Sequence, residues 1–216
     1  MSKIAIIRTT GYDRVLLEIR TRILALAEAV REVLLKALAT LEKPEQQEDW
    51  RALDQGIDQE RDRLLEQIVN IMSLQQLRKL ELRWMLGHQR MVQELERIAD
   101  YACDVAELSR LCPEGNWAEE ILQMADYLLK MYDYVLAILK NEQEIIKDIN
   151  TEDDSVDRCY AQLKERLLGD DRSQSLSGEL GLALVLARTM ERLGDHIVNV
   201  GEMQVYIKTG QRRLGG

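Results

Sequence analysis

Two stretches of this chain carry one acidic pattern. The first holds Glu96, Arg97, Asp100, Asp104, Val105 and Glu107; the second, 95 residues later, holds Glu191, Arg192, Asp195, Asn199, Val200 and Glu202. At about 100° per residue, positions i, i+4, i+8 and i+11 fall within a sector roughly 80° wide. Each stretch would therefore lay four oxygen-bearing side chains along one helix face. Oxygen ligands suit hard cations, so the chemistry on offer is binding of Mg²⁺, Mn²⁺, Ca²⁺ or iron rather than a closed zinc site of Cys and His.

Helix stability alone would not select this arrangement, because like charges at i and i+4 cost about 0.2–0.5 kcal/mol per pair. A lysine in place of Asp100 or Asp195 would serve the helix better. The apolar stripe of the first stretch runs through Met91, Leu95, Ile98, Ala99, Ala102, Val105 and Ala106, and that of the second through Leu182, Ala183, Leu186, Met190, Leu193, Gly194, Ile197 and Gly201. Both lie roughly opposite the acids. A solvated face of any amphipathic helix has the same look. Repetition of the spacing on a face that the core does not constrain favours cation binding, although a duplication can also keep it by inertia.

The elements that must position these acids follow from periodicity. Val15, Ile19, Ile23, Leu26, Val30, Val33, Ala37 and Leu41 predict a long first helix that stops near Pro44. Trp50, Leu53, Ile57, Leu64, Ile68 and Ile71 predict a second, followed by the acidic helix from about Ser73 to Leu108. Pro113 and Gly115 interrupt the pattern, which sets a linker at 111–116 between halves 1–110 and 117–216. Beyond it, Ile121, Met124, Leu128, Met131, Val135 and Ile138 keep a 3,4 spacing. A fifth helix is expected from about Asp153 to Leu168, and turn residues from Gly169 to Ser173 precede the last. The reading is all-α, with three helices in each half.

The second helix of each half repeats a further signature, Asp54, Ile57 and Asp58 against Asp153, Val156 and Asp157. In antiparallel hairpins these aspartates could approach the acidic faces and complete a ligand set. They would serve equally well as helix-start residues.

Composition bounds the class. The 216 residues are 46% apolar and 31% charged, with two prolines and no phenylalanine, which reads as soluble and mostly helical. A net charge of −9 argues against unaided binding to nucleic acid or anionic lipid and suits cations or basic protein surfaces. Cys103, Cys112 and Cys159 form no C-x-x-C pair, as expected of packing thiols in a reducing compartment. Ile4 to Ile7 is too short for a signal-peptide core, and no stretch approaches the ~18 apolar residues of a membrane span. A cytoplasmic protein is expected, without membrane insertion.

The runs Leu95-Glu96-Arg97-Ile98-Ala99-Asp100-Tyr101-Ala102 and Met190-Glu191-Arg192-Leu193-Gly194-Asp195-His196-Ile197-Val198-Asn199 closely resemble the paired E-x-x-x-D motifs of the PhoU family, and the resemblance covers almost the whole chain. It implies an all-α tandem repeat of two three-helix bundles whose motifs bind metal ions, often as multinuclear clusters. It implies no catalytic step. PhoU-like proteins act as negative regulators of the phosphate-starvation response, linking the ATPase of a phosphate ABC transporter at the inner membrane to a sensor histidine kinase. Recruitment to the inner face of the membrane by such partners follows, and self-association as a dimer is also expected.

Carried over by position, the metal residues would be Glu96, Asp100 and Asp104 in one half and Glu191, Asp195 and Asn199 in the other. Asp58, Asp157, Glu107 and Glu202 stand as a second tier. Asp104 replaces the asparagine usual in the family and Ala99 a common glycine, so metal identity among iron, Mg and Mn stays open. Two rival readings compete with this one. A di-iron carboxylate oxidase wants Glu-x-x-His on two helices, whereas Met85 and Leu193 stand three residues before His88 and His196. A metal-independent helical adaptor would use the acids only for steering and solubility. Both histidines are expected to be structural or exposed, and Arg97 and Arg192 to pair with Asp100 and Asp195 at i,i+3 or to reach across the bundle.

Overall fold

The computed structural model describes residues 10–43, 48–111, 117–140, 147–169 and 178–211. Six helices account for nearly all of them: α1 (Thr10–Ala39), α2 (Trp50–Leu74), α3 (Lys79–Ser109), α4 (Glu119–Leu139), α5 (Lys147–Gly169) and α6 (Gly178–Thr209). The expected linker lies outside the described residues from 112 onward, as do Cys112 and the turn expected after Gly169. No described helix is long and apolar enough to cross a membrane.

Local chemistry sets the ends. Asp49 caps α2, its carboxylate accepting the Ala52 N–H at 3.0 Å, a contact of a kind that contributes about 1 kcal/mol. The expected start of the acidic helix near Ser73 is incorrect. Ser73 stays inside α2, its hydroxyl donating to the Asn70 carbonyl at 2.8 Å, and the break falls at Gln75–Arg78. Gln75 and Arg78 sit in extended backbone that any residue adopts, so no glycine or proline marks the turn. Glu81 then closes the start of α3 by accepting the Arg78 N–H at 2.8 Å. α5 begins six residues before the expected Asp153. At the far end, Gly210 takes a φ of +78° and its N–H reaches the Tyr206 carbonyl at 2.8 Å, a left-handed stop that favours glycine.

The apolar stripes merge into one continuous core. Met91, Met124, Met131 and Met190 are fully buried there, flexible thioethers filling gaps between helices. Trp50 and Trp117 are also buried, each at or just before a helix start. α2 packs on α1 and α3, and α5 on α4 and α6. The halves meet where α3 lies along α6 and α1 touches α4. Tyr132 on α4 donates to the Ala27 carbonyl of α1 at 2.7 Å, and Arg31 grips Asp133 with two guanidinium nitrogens.

Contact pairs give the directions. On α2 and α3, Asp58 meets Glu96 through Arg61 while Trp50 meets Cys103, so the two run antiparallel. On α3 and α6, Glu94 meets Asn199 while Tyr101 meets Arg192, again antiparallel. Tyr101 and His196 occupy equivalent positions of the repeat, 95 residues apart, and their rings stack on each other at 5.3 Å. Equivalent residues touching across antiparallel equivalent helices place a pseudo-two-fold axis there. Among the described residues α2 and α5 make no contact with each other, which leaves them on opposite outer flanks.

Candidate metal centres

Each acidic helix face is roofed by the second helix of its own half. Glu96 is only 9% exposed although it lies opposite its helix's apolar stripe, because α2 covers that side. Asp54 and Asp58 lie within α2, and Asp153 and Asp157 within α5, well inside the helix ends. The helix-start alternative is thereby overturned, since Asp49 already caps α2.

In the first half, carboxylate oxygens of Asp58, Glu96 and Asp100 all lie within 4.8 Å of one another. Asp54 lies within hydrogen-bonding reach of Asp100, which favours the protonated form of Asp100. Burial, the Glu96 charge and this Asp54 contact together push Asp100 up to about 7, against the pull of Arg97. Burial likewise holds Glu96 above its ordinary value despite Arg61 and Arg97, and Asp104 above its own, aided by Glu107 and Asp54. A guanidinium sits among these acids. Arg61 bonds Asp58 at 2.7 Å, Asp62 at 2.9 Å and Glu96 by a short contact. Arg97 adds the expected pair to Asp100 at 3.3 Å. Burial and the adjacent carboxylates push the Cys103 thiol up to about 12, so it stays protonated and is a poor ligand.

In the second half, Asp153, Asp157, Glu191 and Asp195 lie close enough to influence one another's charge, but among the described residues only the first group converges within 4.8 Å. Burial, Asp157 and Asp195 push Asp153 up to about 6. Burial also raises Glu191 and Asp195, each helped by the other acids. Arg188 bonds Glu191 Oε1 at 2.5 Å and stacks over Tyr160, while Glu191 Oε2 is buried with no hydrogen-bond partner among the described residues. Gly194 faces this group, where a Cβ would make ordinary contact with Asp153 Oδ1 at 3.5 Å.

The remaining predicted residues fall differently. Asp104 and Glu107 are exposed at the end of the first group, and Glu202 is half-buried on α6. Asn199 donates its amide to Glu94 at 3.1 Å across the α3–α6 contact. Of its two expected placements Arg192 takes the one across the bundle, reaching the Tyr101 hydroxyl at 3.4 Å. His196 donates to Glu94 at 2.7 Å. Burial pushes Glu94 up, but the His196 and Asn199 hydrogen bonds outweigh it and keep the carboxyl below its usual value. The sequence reading missed Glu94, Arg61 and Arg188. A basic residue three positions after Asp58 and another three before Glu191 were the only signals for the two arginines.

The oxygens suit a hard cation. Three carboxylates crowd within bonding reach of a common point in the first half, protons or arginines offset part of their charge in both, and a buried carboxylate oxygen lacks a partner in the second. Asp58, Glu96 and Asp100 would hold it on one flank, and Asp153, Asp157, Glu191 and Asp195 on the other.

Comparison with known proteins agrees with this duplicated architecture. A family model described as the PhoU domain matches twice, at residues 23–109 and 121–203. A phosphate-specific transport system accessory protein PhoU homolog of Streptococcus pneumoniae serotype 4 is 26% identical over 207 residues, covering 93% of this chain and 96% of that protein. Its counterpart from Synechocystis is 29% identical over 167 residues, covering 74% and 73%. The crystal structure of the phosphate transport system regulatory protein PhoU from S. pneumoniae superposes with a TM-score of 0.79 at 25% identity, over 93% of this chain and 98% of that one. PhoU from Pseudomonas aeruginosa shares the fold with a TM-score of 0.78. Six helices in two equivalent halves, matched almost end to end, place this chain in the PhoU family.

Proposed function

We propose that this protein is a metal-binding regulator of phosphate uptake that works by protein contacts and not by catalysis. The observation that carries the metal reading is the convergence of Asp58, Glu96 and Asp100 within 4.8 Å, on a helix face that stability alone would not make acidic. The duplicated group on α5 and α6 supports it, as does the unpartnered Glu191 oxygen. The phosphate reading is supported by relatives named as phosphate-specific transport accessory proteins. On this reading the protein is cytoplasmic and self-associating, represses the phosphate-starvation response, and contacts the ATPase of a phosphate ABC transporter and a sensor histidine kinase.

Acids drawn from only two helices on each flank do not match an oxidase built inside four. The metal-free adaptor is the rival to test. Metal analysis of the purified protein, repeated for Glu96→Gln/Asp100→Asn and for Glu191→Gln/Asp195→Asn, should show bound iron, Mg or Mn that each double substitution reduces. No metal in the parent protein under saturating conditions would favour the adaptor. Deleting the gene should raise phosphate-responsive expression in rich phosphate, and co-purification should recover transporter and kinase components; unchanged expression would sink the regulatory reading.

A further inference from the structure

A second kind of site lies away from both acidic flanks. Where α1, α3 and α6 meet the end of α4, a cavity of about 290 Å³ is bounded by Arg20, Trp84, His88, Gln204 and Lys208, with Ile23 and Ile207 among its apolar walls. Among the described residues its charged lining groups are cations, in a chain of net charge −9. Arg20 and Lys208 are exposed and form no ion pair with any described residue. This contrasts with the arginines of the acidic sites.

The cavity floor is polar. His88 is 5% exposed and stacks on Trp84 with ring centroids 3.9 Å apart. Its Nδ1–H donates to the Trp84 carbonyl at 2.8 Å, which leaves Nε2 as a lone-pair acceptor with no partner among the described residues. Burial and the Arg20 charge hold this imidazole down to about 4, so the ring is neutral and cannot donate from Nε2. Gln204 is 8% exposed, and its amide bonds no described residue. Both side chains line the cavity with polar atoms that bond no described residue, and polar groups converging on a concave, largely apolar space point to a ligand.

The internal repeat supplies a control. The positions equivalent to Trp84, His88 and Gln204 hold Glu179, Ala183 and Ser109. Ser109 is consumed by hydrogen bonds to Thr40 and to the Ala106 carbonyl. The cavity is therefore not a by-product of the repeated fold.

We propose that this cavity binds a small organic oxyanion carrying a short apolar body and a hydroxyl-type donor. The anionic head would sit at the mouth between Arg20 and Lys208, the apolar body against the Trp84 side of the wall, and the hydroxyl hydrogen would be accepted by His88 Nε2. The cavity shares no residue with the acidic sites, so failure of metal binding has no bearing on it.

Isothermal titration of the full-length protein tests the assignment with four probes: mandelate, phenylacetate, which lacks the hydroxyl, benzyl alcohol, which lacks the charge, and phenyl phosphate, which changes the head. Mandelate or phenyl phosphate should bind saturably at one site per chain, and phenyl phosphate alone would assign a phosphoryl head. If mandelate binds, phenylacetate should bind about tenfold more weakly, because His88 would be left unpaired. The exposed pair Arg20→Gln/Lys208→Gln should weaken the anions about tenfold or more and leave benzyl alcohol unchanged. His88→Phe should erase any preference for mandelate over phenylacetate. Should His88→Phe fail to fold, the two surface substitutions still decide the matter. Absence of saturable binding by both anions at millimolar concentration, or anion binding indifferent to loss of both cations, would overturn the proposal.

Discussion

The two acidic flanks solve one electrostatic problem with different residues. On the first, the positive charge comes from α2: Arg61 holds Asp58, Asp62 and Glu96 at once. On the second it comes from α6, where Arg188 holds one oxygen of Glu191 and leaves the other bare. The exchange is reciprocal. The position equivalent to Arg61 is Tyr160, and the one equivalent to Arg188 is Gln93. What recurs is the arrangement of acids with one guanidinium nearby, and the helix that delivers the guanidinium is free to change. A cation entering the first flank would have to displace an arginine gripped by three acids; on the second it meets an oxygen already unpartnered.

That contrast can be broken by experiment, beginning with the acids. Glu191→Gln/Asp195→Asn should abolish metal uptake on its flank by more than the roughly 10–100-fold typical of losing an outer-shell partner. Glu96→Gln/Asp100→Asn should do so on the other, and titrating metal into each variant would reveal the two flanks separately. The second flank should fill first in the parent protein. Equal affinities would mean that Arg61 offers no barrier.

Arginine removal sharpens the same point. Arg61→Gln should destabilise the metal-free protein by about 1–2 kcal/mol, the scale of lost hydrogen bonds to charged groups, and raise cation affinity on the first flank about tenfold. Arg188→Gln should cost only about 0–1 kcal/mol, because that side chain is more exposed and makes a single pair. Urea denaturation with and without metal distinguishes the two.

The pH dependence should also differ between flanks. Asp100 and Asp153 retain protons in the folded chain that they would release on unfolding, so the folded state binds more protons than the unfolded one. Their favourable contribution is full below the ordinary aspartate value, near pH 4. It is lost as pH rises through about 6 for Asp153 and about 7 for Asp100. The metal-free melting temperature should therefore fall between pH 5 and 8, roughly. Asp153→Asn should flatten the lower part of that fall and Asp100→Asn the upper part.

The smallest expected effect concerns Ala99 and Gly194, which are equivalent positions. A Cβ on Gly194 would approach Leu128 Cδ2 at 3.3 Å, a tight contact that the end of a leucine can relieve. Helix propensity favours the alanine by about 1 kcal/mol, so Gly194→Ala should be nearly neutral. Ala99→Gly, at a fully buried site, should lose about that much. A large loss in Gly194→Ala would show that the second flank depends on close helix approach.

Much of this organisation was legible in the residues. The periodic stripes carried the six helices, because helical spacing of apolar side chains is a local record of which face is buried. The break between α2 and α3 was misplaced, since Gln75 and Arg78 turn the chain in conformations that need no marker residue. The acids of both flanks were identified, including the aspartates of α2 and α5. Arg61, Arg188 and Glu94 were not, because ordinary charged residues acquire a role only from neighbours 35 or more positions away, or, for Arg188, from which oxygen of Glu191 its pairing leaves exposed.

The chain by itself settled that there would be two equivalent acidic faces on long amphipathic helices, because spacing along one helix is enough to align side chains. Only tertiary packing decided that α2 and α5 would cover those faces, that Asn199 and His196 would turn to Glu94 across the α3–α6 contact, and that a cationic cavity would open beside His88. Each of those outcomes depends on distances between separate helices, and helical periodicity carries no information about such distances.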